Sequence, residues 1–241
     1  MQEDFWTYLM RQWQVFYFMS PFVLACQITA LIICLKYWRN DKIYFRFFGY
    51  IITGIILFAV YNFAVYSLRI GNIENQKLPE LLNVLFLIIE FLAFSAFLYV
   101  ILKSPAVQAA TRFFSVLFFA AIILLTVGIF NPLYPKKDTD QILSLIGCFE
   151  LMYIGFLCLL YFYKLFKMPP AVNLSKSPSF WIISFSVLYT IVFPPITLLF
   201  DKFRIENKVM FRTIVALHYF SLGFVYIGIT KAFLCKKPLT S

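Results

Sequence analysis

Glu90, Glu150 and His218 each lie inside a long apolar stretch of the chain. Carboxyls and an imidazole are groups that take up protons, coordinate cations or hold small polar ligands. A carboxylate at the centre of a lipid bilayer costs about 3 kcal/mol on insertion scales, so it must face a bundle interior or water. Everything else in these stretches is lipid-soluble, which makes the three side chains the first candidates for function. They are candidate ligand-binding residues, together with Asn62 and Tyr219.

The elements that carry them follow from composition. Hydrophobic residues make up 62% of 241 positions and charged residues 13%, with a mean hydropathy of +0.84. A soluble domain of this length needs far more polar surface. A helix needs about 20 apolar residues to cross ~30 Å of hydrocarbon. Blocks at residues 16–37, 47–68, 82–102, 113–130, 142–166, 180–200 and 209–234 answer that description. Lipid offers no partners to backbone N–H and C=O groups, so the blocks must be helical. The ten-residue alternation of an outer-membrane barrel is absent. The expectation is one all-α domain over 1–241, with seven transmembrane helices and short loops.

Lys and Arg placement sets the orientation. With the N-terminus outside, twelve Lys and Arg fall on the cytoplasmic side and nine on the other. The reading is therefore N-terminus out and C-terminus cytoplasmic, in a multi-pass inner (cytoplasmic) membrane protein. The acidic start Met1-Gln2-Glu3-Asp4 is unlike a removable signal peptide. Trp6 and Trp13, with Phe5, Tyr8 and Tyr17, read as an interfacial aromatic anchor. The net charge of +10 speaks for membrane-surface electrostatics rather than nucleic-acid binding.

Depth unites the candidates. Glu90 is eight residues into the third block, Glu150 eight into the fifth and His218 nine into the seventh. At 1.5 Å per residue all three lie roughly 12–14 Å below the outer edge. Asn62 falls at about 9 Å on the second block, and Pro194-Pro195 near that level on the sixth, where a kink is expected. Tyr61, Tyr153, Tyr189 and Tyr219 are close enough in sequence to add hydroxyls. The expectation is a polar chamber in the outer half of the bundle that takes a small ligand, a cation or a proton. The competing reading is polar glue between helices, which is the favoured role for Asn62 and Gln27 because neutral amides are cheaper to bury.

Other chemistries are poorly supported. Four of the five cysteines lie within blocks and no CxxC occurs, so neither zinc nor a dithiol is signalled. One His cannot furnish a zinc hydrolase site. HExxH, GxSxG and Gly-rich phosphate loops are missing. Lys231 at the end of the seventh block is placed to snorkel, not to hold retinal. The expectation is a non-enzyme without cofactor.

The basic first loop, the run Leu87-Ile88-Ile89-Glu90-Phe91-Leu92 and the opening Pro178-Ser179-Phe180-Trp181-Ile182 resemble small bacterial seven-helix membrane proteins. Similar modules precede the kinase in some membrane histidine kinases. The resemblance implies a stand-alone sensory module whose output needs a separate partner at the cytoplasmic face. A small proton- or cation-coupled transporter, and an oligomeric pore or structural protein, are the alternative classes.

Overall fold

The structure is a computed structural model and describes residues 7, 19–37, 47, 49–57, 59–60, 78–130, 136–167, 174–206 and 208–235. Among these residues the regular structure is all helical, without a strand. We label the helices α1 (Met19–Tyr37), α2 (helical residues 49–57), α3 (Leu78–Leu102), α4 (Pro105–Phe130), α5 (Lys136–Phe166), α6 (Pro178–Glu206) and α7 (Lys208–Leu234). A short 3-10 turn, Leu174–Lys176, leads into α6.

The helix starts follow local chemistry. Proline opens α4 and α6, where its missing N–H removes nothing the first turn could use. Glu80 sits in the first turn of α3, at the positive end of the helix dipole. Lys103 and Ser104 alone join α3 to α4, and Lys103 takes a left-handed φ of 44° to make the reversal. The Lys164 ammonium donates to the carbonyl of Leu102 and so caps the end of α3.

Four stretches are long and apolar enough to cross a membrane: Glu80–Leu102, Pro105–Phe130, Gln141–Phe166 and Arg212–Leu234. Phe22–Lys36 and Pro178–Pro194 are shorter apolar helices. The fourth expected block begins eight residues earlier than its apolar core, at Pro105 rather than 113. Arg112 explains the difference: it ends the apolar run without breaking the helix, and its guanidinium reaches back to the Tyr99 hydroxyl at 3.3 Å. The helix assignment of α6 continues through Pro194-Pro195.

Contacts fix the relative directions. Phe22 stacks on Phe220 (5.1 Å) and Gln27 reaches Tyr226, so α1 and α7 run the same way. Phe47 meets Phe97 while Tyr50 meets Phe86, so α2 runs against α3. Phe91 stacks on Phe118, with Arg112 on Tyr99, setting α4 against α3. Cys148 points at the Pro194 carbonyl and Tyr161 at Ser179, setting α6 against α5. Trp181 lies by Lys231 and Phe193 by His218, setting α7 against α6. Successive helices thus alternate in direction, as the sequence parity requires.

Helix α7 packs most closely on α6 and α1, and α5 on α6, α3 and α4. Glycine permits the closest of these approaches. A Cβ at Gly228 would lie 2.8 Å from the Phe185 side chain and 3.0 Å from the carbonyl of Trp181. One at Gly223 would strike the Phe22 ring at 2.3 Å. Helix α4 turns Phe113, Val116, Leu124 and Val127 outward, the lipid-facing pattern of a peripheral helix.

Candidate functional site

The site is held by α3, α5 and α6, with α2 and α7 behind it. Glu90 on α3 and Glu150 on α5 are each only 2% exposed. Their helices meet on either side of them, with Leu87 against Gly147 and the Phe91 ring 6.1 Å from that of Tyr153, which puts the two acids within electrostatic range of each other. Tyr189 on α6 is within the same electrostatic reach of both. The acids expected at one depth therefore do come together.

Their surroundings differ. Glu90 accepts a hydrogen bond from the Tyr50 hydroxyl at 3.2 Å. Both oxygens of Glu150 are buried without a hydrogen-bond partner. Polar atoms shielded this fully are nearly always paired, so an unpartnered carboxyl calls for a physical explanation. An ionised carboxylate in that position would carry an uncompensated charge in a low-dielectric interior.

A crevice beside the pair is lined by Glu90, Phe94, Leu151, Ile154, Ser186, Tyr189 and Thr190, with about 160 Å³ of empty space. That space is thinly spread and leaves no room for a water-sized sphere. Ser186 donates its hydroxyl hydrogen to the Ile182 carbonyl, and Thr190 donates to that of Val187. Their oxygens are left with lone pairs. Apart from the Tyr189 hydroxyl, and Glu90 when it carries a proton, the polar lining accepts. Such a lining calls for a proton or a cation.

Behind Glu90 runs a polar chain that crosses the bundle. The Tyr50 and Tyr226 rings stack with centroids 5.9 Å apart at 14°. Gln27 on α1 donates to the Tyr226 hydroxyl at 2.8 Å. A Cβ on Gly54 would meet that hydroxyl at 3.1 Å. Four helices are linked in this way through Gln27, Tyr226, Tyr50 and Glu90. The amide of Gln27 is structural in the sense expected, yet its second atom, Oε1, has no partner.

His218 is placed differently from the acids. Its ring lies 4.3 Å from the Phe193 ring, 5.9 Å from Tyr189 and 5.4 Å from Tyr219. Its Nδ1 is buried without a hydrogen-bond partner. It adjoins the acids through Tyr189, within an aromatic setting of its own. Tyr219 is thereby a neighbour of the imidazole. Asn62 and Tyr61 lie outside the described residues, as do Trp6, Trp13 and the other aromatic residues of the expected N-terminal anchor. Tyr153 is bonded elsewhere, to Thr111 on α4 at 2.7 Å. Lys231 lies 5.6 Å above the Trp181 ring. The described residues contain no group of three or more His, Cys, Asp or Glu that could hold a metal ion.

Tyr50, Tyr226, Ser186 and Thr190 are members of the site that depth counting misses. Ser186, Tyr189 and Thr190 did leave a signal. Spaced three and four apart, they form a polar stripe on one face of an apolar helix. Tyr50 and Tyr226 left none, because a tyrosine at a helix position is equally at home at an interface or in a core.

No protein-family model, no curated protein and no solved structure matches this chain.

Proposed function

We propose that this protein is a membrane module that binds and releases a proton at the Glu90–Glu150 pair, and that it serves a sensory role. The observation that carries the reading is the bare carboxyl of Glu150 beside a second buried carboxyl. Two carboxyls so shielded and within electrostatic range of each other cannot both carry a charge at low cost, so the pair at rest keeps at least one of its two protons. The narrowness of the crevice favours a proton over a small organic ligand. Loss of the proton would set two like charges against each other between α3 and α5. Tyr189 shares the crevice with Glu90 and lies within electrostatic range of both acids, and Tyr50 steadies Glu90 from the other side. His218 and Tyr226 are the further titratable groups of this core. A change of proton occupancy would therefore be felt by α6 and α7 through Tyr189, and by α1 and α2 through the Tyr50–Tyr226 chain.

The test is a pH titration of the purified protein in nanodiscs, read by tryptophan fluorescence and amide exchange. Wild type should show a reversible transition, and Glu90→Gln and Glu150→Gln should insert normally but lose it. Variants that titrate as wild type would reject the carboxyl pair as the site. The same protein in liposomes loaded with a pH dye separates sensing from carriage. Proton flux that disappears in Glu150→Gln would replace the sensory role with coupled transport.

A further inference from the structure

The two ends of the bundle differ in charge. Where α3, α5 and α7 finish and α4 and α6 begin, the described residues gather Lys103, Arg112, Lys164, Lys167, Lys176 and Lys231. No Asp or Glu accompanies them among the described residues at this end. By sequence alone, the opposite helix ends carry Glu80, Asp138, Asp140, Asp201 and Glu206 as well as Lys136, Lys137, Lys202, Arg204, Lys208 and Arg212. The helix ends on that side thus hold both signs of charge in sequence, whereas the described residues of the first end hold only positive ones.

The contacts of these cations set their level in the membrane. Lys231 lies over the Trp181 ring and Lys167 over the Tyr163 ring, at 5.6 and 4.3 Å. Arg112 reaches the Tyr99 hydroxyl and Lys164 the Leu102 carbonyl. Trp181 in turn donates its indole N–H to the Ser175 carbonyl at 2.9 Å. None of these partners is a carboxylate. Tyrosine and tryptophan with their polar atoms turned to a helix end mark the headgroup level of a bilayer, and cations held over such rings lie at the same depth. The amino termini of α4 and α6 point to this end and add their partial positive charge.

We propose that this end binds the phosphate headgroups of anionic phospholipids in the leaflet it meets. Charge complementarity and level choose the occupant. The cations are spread over five helix ends around the bundle, at the depth where lipid phosphates already are. The α3–α4 connection is two residues long and builds no raised wall for a peptide. Juxtamembrane clusters of Lys and Arg attract anionic lipid in this way, each charge adding to the attraction.

The experiment purifies the protein from nanodiscs of mixed anionic and zwitterionic phospholipid and measures the retained lipid by native mass spectrometry. Wild type should retain the anionic lipid preferentially. A combined Lys103→Gln, Lys167→Gln, Lys176→Gln and Lys231→Gln variant should lose that preference by roughly tenfold or more. These four lysines are chosen because none closes a helix end, so the fold should survive; a wild-type melting temperature in zwitterionic nanodiscs verifies it. A Lys202→Gln, Lys208→Gln and Arg212→Gln control at the other end should keep the preference, and its equal loss would overturn the proposal. Retention by the quadruple variant would do the same. Full displacement of lipid by inorganic phosphate would instead assign a small-anion site. Tighter binding of polyglutamate than of lipid would assign an acidic protein partner.

Discussion

Replacing Glu150 with leucine should stabilise this protein, and the sign is the informative part. Leucine has about the volume of glutamate, so the exchange opens no large cavity. Neither oxygen of Glu150 has a partner to lose, whereas a buried polar group left unpaired costs about 1–3 kcal/mol. Glu150→Leu should recover that amount. For a chain of 241 residues the gain corresponds to a melting temperature higher by roughly 2–10 °C. The gain should grow with pH. At low pH the wild-type carboxyl carries its proton and costs only its missing hydrogen bond. As pH rises, the unfolded chain gives up these protons while the shielded pair still holds them, so wild type, with two buried acids, loses more stability than a variant that keeps only Glu90. Glu90→Leu should act in the opposite direction at low pH, because it strips the Tyr50 hydroxyl of its acceptor and leaves a buried donor unpaired, at about 1–3 kcal/mol. The assay is thermal unfolding in detergent micelles across pH, read by circular dichroism. A Glu150→Leu protein that melts several degrees below wild type at every pH would show that the carboxyl has a stabilising partner, and the argument for a bare proton-binding group would fail.

Three further outcomes are expected. Gly228→Ala should cost about 1–3 kcal/mol, since its Cβ would press on the Phe185 side chain and the Trp181 carbonyl between α6 and α7; Gly49→Ala, with nothing within 4 Å of the added carbon, should be neutral or stabilise the helix, and equal melting shifts would contradict the packing. Tyr226→Phe should destabilise by about 1–3 kcal/mol by leaving the buried Gln27 amide with neither atom bonded, while Thr29→Ala, whose hydroxyl only bonds back to its own helix at the exposed face, should leave the melting temperature unchanged. Burial pushes the Cys235 thiol above its ordinary range, against the opposing pull of the Lys231 charge, so less thiolate is present at a given pH. Its alkylation at neutral pH should be slower than that of glutathione and should climb steeply as pH rises; a rate equal to free thiol would mean that the Sγ contacts with the Ser175 and Lys231 carbonyls do not persist.

Much of this was legible in the chain before any coordinates. Hydropathy alone required helices, because a backbone in hydrocarbon must satisfy its own hydrogen bonds. Counting along those helices put Glu90 and Glu150 at one level, and they do lie within reach of each other. Depth depends only on rise per residue, which is fixed at 1.5 Å. Rotation about each axis is another matter. It is set by which side chains interlock, and a helix that is apolar all round carries no stripe to announce its buried face. That is why His218 could be given a level but not its ring of Phe193, Tyr189 and Tyr219. The pairing of Tyr50 with Glu90 across 40 positions, and of Gln27 with Tyr226 across 199, was equally invisible, because each depends on two rotations at once. The tightness of the crevice came from neither element but from the close approach of α5 and α6, where Gly155 lets Thr190 come near. The sequence by itself thus determined a helical membrane protein with two acids at a common depth, since composition and helix rise need no partner. Only the tertiary structure decided that one acid is bonded and the other bare, since that difference lies in what neighbouring helices turn toward each carboxyl.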